Sequence, residues 1–457
     1  MYKHISKLIL YNNLAEDPVL KEFSQVFKEL EGAVPSGGFD PASGRSVNGL
    51  ISSGSLAPVD TDRLISRIYL QIKKILDVAT DFGFNSNLWQ DYLTFRIISD
   101  RNSFSLTCEG NGASPEGSVN EFAMGDFRQL KALFDYDFGP VQKKLNINCF
   151  DVICNYHAIA KDSRLYDQNV SRIIRSLSDR LSACENEQSF FELISDHYKN
   201  YGVGMFGLNR AFRIKGSGDD LEFIPISNAD PVQLSDLVGY ERQKASLKAN
   251  TLAFCQGKPA NNVLLYGDAG TGKSSSVKDV LNEYFDRGLR MIEIYKHQFA
   301  DLSNVIARIK KRNYKFIIYI DDLSFEENEV QYKFLKAVIE GGVENRPDNI
   351  LIYATSNRRH LVKETWKDRD DMEHNGDIHR SETMEEKLSL SSRFGVMINY
   401  PSPDKQAFNE IVLSLAERYK VDMDEETLLA EANKWEVRHG GFSGRTAAQF
   451  IKYISAK

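Results

Sequence analysis

A chain of 457 residues exceeds what one compact core usually organises and predicts two or three domains. Its 42% hydrophobic and 26% charged residues describe a globular protein, and a net charge of -7 gives no electrostatic case for coating nucleic acid or an anionic membrane. Five scattered cysteines, Cys108, Cys149, Cys154, Cys184 and Cys255, include no C-x-x-C pair and leave an odd count, which argues against a disulfide framework and a structural zinc site.

The opening segment, MYKHISKLILYNNLAED, carries one four-residue apolar run and no cleavage-site pattern. No stretch reaches the roughly eighteen apolar residues of a membrane helix. The expectation is therefore a cytoplasmic protein without a membrane partner. Residues 1–214 read as a mainly helical domain interrupted twice. One interruption is the Gly-, Ser- and Pro-rich stretch Pro35–Pro58, and the other is Cys108–Asn120. Between them, Arg63–Phe82 places Ile65, Ile68, Ile72, Ile75 and Leu76 at helical spacing. The aromatic and acidic FDYDFG, Phe134–Gly139, reads as a helix end packed on its neighbour rather than as a binding surface. Residues 215–230, beginning with KGSGDD, read as a linker.

Beyond the linker, short apolar runs alternate with helical segments. The expected strands are Val263–Tyr266, Arg290–Tyr295, Phe316–Ile320, Ile350–Ala354 and Val396–Tyr400, the pattern of a parallel sheet covered on both faces. Between the first strand and a helix from Ser274 to Tyr284 lies GDAGTGKSS, which matches G-x-x-x-x-G-K-[ST]. A strand before and a helix after are what a phosphate-cradling loop requires, and the helix N-terminus adds partial positive charge. The candidate nucleotide-binding residues are Gly267, Asp268, Ala269, Gly270, Thr271, Gly272, Lys273, Ser274 and Ser275.

A triphosphate site needs magnesium, and magnesium needs a carboxylate at the end of a neighbouring strand. FIIYIDDLSF supplies Asp321 for the ion, with the Ser274 hydroxyl as a second ligand, and Asp322 to orient or deprotonate the attacking water. The next strand ends in Thr355, Ser356 and Asn357, whose amide lies beside the metal strand. Arg393 precedes the final strand, and Arg445 falls in the first turn of a helix capped by Ser443. Arginine suits a transferring phosphate through its permanent charge and forked donors.

In this order the glycine loop, DD, TSN, SRFG and SGR resemble the AAA+ ATPases from about Pro231 to the C-terminus. LSDLVGYERQK resembles the segment that lies near the adenine in that superfamily, which marks Val238 and Gly239. More closely, NNVLLYGDAGTGKSSSVK, IDDLSFE, IYATSNRRHL and EKLSLSSRFG are similar to a bacterial AAA+ family known as domain of unknown function 815, and that similarity is expected over most of the chain, including the helical N-terminal part. The resemblance implies an α/β P-loop core with a five-stranded parallel sheet at 231–400, a helical lid at 401–457, and the mainly helical N-terminal domain. It implies ATP and magnesium as ligands, Lys273 on the β- and γ-phosphates, Asn357 as sensor, and Arg445 as the lid arginine. Arg393 would be an arginine finger reaching a neighbouring copy, hence a homo-oligomer. Many AAA+ proteins end the metal strand in Asp-Glu; Asp322 is one methylene shorter, which bears on turnover.

Between Asn357 and Arg393 lies a long charged insertion. Its His374 and His379 lack metal-ligand spacing and read as part of a solvated segment. Arg358, Arg359, His360 and Lys363 form a short basic run suited to a phosphate backbone, but acidic residues soon outnumber them, so nucleic acid is a minor expectation. The sequence thus points to an ATPase that remodels or positions a macromolecular partner chosen by the N-terminal domain. The alternatives are a nucleotide-dependent switch or loader, and an interaction module with a degenerate site.

Overall fold

The computed structural model describes residues 1–40, 45–52, 60–112, 117–159, 167–226, 237–326, 329, 331–340, 347–359, 361 and 390–456. They divide into two units, Met1–Asn209 and Arg210–Lys457.

The first unit carries α1 (Pro18–Glu31), a hairpin of β1 (Ala33–Asp40) and β2 (Arg45–Ser52), then α2 (Thr61–Phe82), α3 (Leu88–Ser99), α4 (Ser103–Asn111), α5 (Val119–Phe134), α6 (Gln168–Ser182) and α7 (Glu187–Asn200), with shorter helical turns between. The antiparallel hairpin occupies the Gly/Ser/Pro interruption, and the second interruption separates α4 from α5. In α2 the residues at three- and four-residue spacing, Leu64, Ile68, Ile72 and Ile75, are buried, as an amphipathic helix requires. Two buried carboxylates hold the unit together. Asp17 caps α1 by accepting from the Val19 and Leu20 N–H groups, each at 3.0 Å, and also takes the Tyr92 hydroxyl at 2.9 Å and the Arg96 guanidinium at 2.7 Å, tying α1 to α3. Asp126 of α5, 1% exposed, accepts from the backbone N–H of Ile9, Leu10 and Tyr11 at 2.9, 2.7 and 2.9 Å.

The second unit is built on one sheet of β3 (Ala211–Lys215), β4 (Glu222–Pro225), β5 (Val263–Gly267), β6 (Leu289–Glu293), β7 (Lys315–Ile320), β8 (Ile350–Ser356) and β9 (Val396–Tyr400). Its spatial order is β4-β3-β6-β7-β8-β5-β9, with only the β3–β4 pair antiparallel. The helices α8 (Glu241–Cys255), α9 (Lys273–Tyr284), α10 (Leu302–Ile309) and α11 (Gln331–Glu340) fall between its strands in sequence. β8 is buried along its whole length, which explains its unbroken apolar run. Val277, Val280, Leu281 and Tyr284 turn the buried face of α9 into the same core as Val263, Leu265 and Ile317.

The sheet has seven strands where five were expected. All five expected strands are present, with ends within two residues of the expected ones. The extra pair comes from residues read as the end of the helical domain and the start of the linker. KGSGDD is the turn between β3 and β4: Gly216 sits at φ +76°, and a Cβ there would come within 2.3 Å of the Asp220 carbonyl oxygen. Turn chemistry and linker composition use the same residues, so composition alone did not separate them.

After β9 come α12 (Lys405–Tyr419), α13 (Glu425–Arg438) and α14 (Gly444–Ser455), which share a core of Phe408, Val412, Leu428, Ala432, Phe450 and Ile451. Among the described residues no helix is long and apolar enough to cross a membrane.

Candidate functional site

β5 ends at Gly267 and α9 starts at Lys273, so the chain reverses within Asp268–Gly272 at the carboxyl edge of the sheet, where open α/β sheets form their crevices. Gly272 lies at φ +91°, a conformation that disfavours any side chain, and a Cβ on it would approach Leu237 Cδ1 to 2.3 Å, so the leucine would have to shift. The loop is held from three sides. Thr271 Oγ1 donates to the Asp268 carbonyl at 2.9 Å, and the Asp268 N–H donates to the Tyr400 carbonyl at 3.2 Å. The Ser402 N–H donates to Asp268 Oδ2 at 2.9 Å, and hydrogen bonds from Ser402 hold that carboxyl below its ordinary range. From the C-terminal helices, the Arg445 N–H reaches the Gly270 carbonyl at 3.3 Å, while Ser443 caps α14 by accepting from the Thr446 N–H at 3.1 Å.

Lys273 is buried behind this loop. Its ammonium donates to the carbonyls of Gly267 at 2.8 Å and Asp268 at 2.6 Å, and to Asn357 Oδ1 at 3.1 Å. Burial lowers its pKa, against the opposing pull of Asp268, Asp322 and Asp321.

The two carboxylates after β7 differ in their surroundings. Asp321 Oδ1 accepts three hydroxyls: Ser274 at 2.7 Å, Tyr319 at 2.7 Å and Thr355 at 2.5 Å. Partial desolvation pushes this carboxyl up, but the hydrogen bonds from Thr355, Ser274 and Tyr319 outweigh it, and the net shift is downward. Burial, with Asp321 beside it, pushes the Tyr319 hydroxyl well above its ordinary value, so it stays a donor. Asp322 takes a left-handed backbone at φ +49°, its N–H donating to Thr355 Oγ1 at 2.9 Å. Its Oδ1 accepts from Asn357 Nδ2 at 2.8 Å. Asn357 therefore bridges Lys273 and Asp322, oxygen toward the cation and amide hydrogen toward the anion.

Of the expected site residues, the structure brings together Gly267 to Ser274, Asp321, Asp322, Asn357 and the Arg445 backbone, with Ala269 exposed on the loop and Ser275 in the first turn of α9. Val238 and Gly239 lie in the segment between Leu237, which packs on Gly272, and Tyr240, whose ring stacks on Tyr400 at 5.1 Å and whose hydroxyl donates to the Pro401 carbonyl at 2.7 Å. Val238 packs on the core of the C-terminal helices. Arg393 is not brought to this site. It precedes β9, and the parallel pairing of β9 with β5 puts that end level with Val263, at the opposite edge of the sheet from the loop. The five residues of β9 span about 13 Å at ~3.3 Å per residue. His360, Lys363, His374 and His379 lie outside the described residues. Sequence reasoning passed over Tyr319 and, as a site residue, Thr355. The signal for Tyr319 was its place near the end of the strand, two residues before Asp321.

The family described as Protein of unknown function (DUF815) matches residues 208–457, more than half of the 457. The chain belongs to that family. The match takes in the whole second unit and leaves nearly all of the helical unit outside, which corrects the expectation that the similarity includes the helical N-terminal part. Every site residue named above falls within the DUF815 segment, on an α/β core with the loop after β5, the carboxylates after β7 and the asparagine after β8. No curated protein matches the chain. Solved structures with a similar fold include the Thermotoga maritima RuvB Holliday junction branch migration motor, at 14% identity and a TM-score of 0.30, covering 49% of this chain and 72% of that one. A single-substitution mutant of the same protein aligns at 15% identity and a TM-score of 0.31, over 50% and 74% of the two chains.

Proposed function

We propose that this DUF815 protein is an AAA+ ATPase that binds ATP with magnesium at Gly267–Ser275, hydrolyses it in an assembly of copies, and uses the cycle to remodel or position a macromolecular partner. The observation that carries the reading is the convergence of Lys273, Ser274, Asp321, Asp322 and Asn357 at the N-terminus of α9.

The residues fit the ligands. The glycine loop offers backbone N–H groups and a helix N-terminus to phosphate oxygens, and Lys273 has three acceptors it can exchange for them. Ser274 gives its proton to Asp321 and so keeps its oxygen lone pairs for a cation. Magnesium held by Ser274 and, directly or through water, by Asp321 would neutralise charge on the phosphates. Asp322 and Asn357, already hydrogen-bonded to each other, are placed to orient the attacking water. Arg445, exposed and anchored to Gly270 through its backbone, is the candidate for the last phosphate, and Val238 and Gly239 for the base. Arg393 sits at the far edge of its own sheet, so we assign it to the site of a neighbouring copy. The helical unit, outside the family match, is assigned to partner choice.

One observation favours a second reading, a switch or loader with slow hydrolysis. Asp322 is short, its backbone is strained, and its Oδ1 is engaged by Asn357, all of which restrain a general base.

The test is ATP turnover against protein concentration, with light scattering on the same samples and with Lys273→Ala and Arg393→Ala alongside. Specific activity should climb as assemblies appear. It should fall by about 10³-fold or more in Arg393→Ala while ATP still binds, and binding itself should fail in Lys273→Ala. A flat rate near one ATP per chain favours the switch, and a wild-type protein that binds no ATP refutes both readings.

A further inference from the structure

Tyr319 is almost completely buried, 1% exposed, in a core with Val263, Leu265, Tyr284, Ile317 and Tyr353. In that setting a phenylalanine would fill the space at no polar cost, so the hydroxyl needs partners: it donates to Asp321 Oδ1 at 2.7 Å, with the Ser274 and Thr355 hydroxyls also against it. It reaches this oxygen because Asp321 follows directly on the last residue of β7, two positions after Tyr319. Thr355 from β8 and Ser274 from α9 meet the same oxygen, so donors from three elements converge on Oδ1. Among the described residues no donor holds Oδ2.

Resting on the nucleotide reading above, we infer that Tyr319 is a positioning residue for magnesium binding: its hydroxyl, with Thr355, fixes the rotation of the Asp321 carboxylate so that Oδ1 faces inward and Oδ2 is presented to the cation. Magnesium tolerates little departure from octahedral geometry, so a carboxylate free to rotate about its Cβ–Cγ bond holds the ion less well than one pinned through a single oxygen. The glycine loop and Lys273 bind phosphate without reference to that rotation. Tyr319 therefore acts on the metal-dependent part of nucleotide affinity and leaves the metal-free part alone.

The experiment is calorimetric titration of the full chain with ADP, in excess magnesium and in excess chelator, for wild type and Tyr319→Phe, together with Mn²⁺ binding by electron paramagnetic resonance in the presence of ADP. The metal-free ADP affinity of Tyr319→Phe should stay within about twofold of wild type. The magnesium-dependent gain, and the Mn²⁺ affinity, should fall about tenfold, the scale of one hydrogen bond to a carboxylate. Incorporating 4-aminophenylalanine at position 319, which keeps a donor on the ring, should restore most of the gain. A full magnesium gain in Tyr319→Phe overturns the inference. So does an equal loss with and without metal, which would mark a packing role, or a 4-aminophenylalanine protein no better than Tyr319→Phe. If wild type binds ADP under neither condition, the nucleotide reading itself fails; if wild type binds and only the predicted split is missing, the inference about Tyr319 fails alone.

Discussion

Thr355 is 2% exposed and serves both carboxylates at once, donating to Asp321 Oδ1 at 2.5 Å and accepting from the Asp322 N–H at 2.9 Å. Thr355→Val keeps its shape and removes both bonds. A hydrogen bond to a charged group contributes about 1.5–3 kcal/mol and a neutral one about 1 kcal/mol. Both aspartates are exposed, so water recovers part of each, and the net loss should be about 1.5–2 kcal/mol. For a unit of this size that lowers the melting temperature by about 3–8 °C. Differential scanning calorimetry of the full chain should show one transition moving by that amount, with Thr355→Ser close to wild type. The pH dependence follows from Asp321. Its folded pKa lies below the ordinary carboxylate value, so its stabilisation is complete above the unfolded pKa of about 3.9 and disappears as pH falls through the lower folded value. Removing one donor raises that folded value. The gap between wild type and Thr355→Val should therefore be widest near neutrality and should narrow in strong acid to the share of the neutral bond from the Asp322 N–H. A valine variant melting within about 1 °C of wild type at pH 7 would refute this account of the site.

Gly272→Ala should weaken nucleotide binding and lower the same transition, because an alanine is strained on a backbone at φ +91°; Leu237, whose Cδ1 the Cβ meets at 2.3 Å, can shift, so adding Leu237→Ala should recover little. Asn357→Ala should retain nucleotide affinity within about threefold while turnover falls by at least about tenfold, measured by equilibrium binding and steady-state hydrolysis. Asp126→Ala removes a carboxylate that is itself 1% exposed and takes the acceptor from three backbone N–H groups, that of Tyr11 buried and those of Ile9 and Leu10 partly so; it should cost about 2–3 kcal/mol, read as early proteolysis of the segment around Ile9–Tyr11. In the first unit, burial lowers the His197 pKa to about 3, with Arg180 adding to it; stability is full above about 6.5 and drains away as pH falls toward 3, so His197→Phe should flatten that limb of a melting-temperature profile. Burial raises Asp91 to about 6 against a hydrogen bond from Ser178, and Oδ2 is buried without a hydrogen bond. Its stabilisation is present below the unfolded pKa and lost as pH rises through 6, so Asp91→Asn should stabilise more at pH 8 than at pH 4.

Much of the second unit was legible because its signals are local. An apolar run followed by a glycine loop and an amphipathic helix can hardly be rearranged without breaking all three, and Val263–Gly267 followed by Lys273–Tyr284 appears as read. Strands buried on both faces announce themselves as runs, which is why β7 and β8 were found to within two residues. What escaped were relations between elements. Nothing local tells that Tyr319, Thr355 and Ser274 share one carboxylate oxygen, since that depends on strand register and on how α9 lies against β7 and β8. The hairpin at 211–225 was missed for a related reason. Phe212 and Ile214 look like any short apolar alternation until β6 is beside them.

That hairpin decides where the chain can be cut. A fragment begun at residue 231, the apparent start of the nucleotide core, would strip β3 from β6 and leave a bare strand edge of unpaired N–H and C=O groups flanked by Leu289, Met291 and Ile292, all buried in the intact sheet. Such a fragment should aggregate on expression, whereas one begun just before Arg210 carries its own edge cover, ending in the four-residue β4 with Pro225 at its tip.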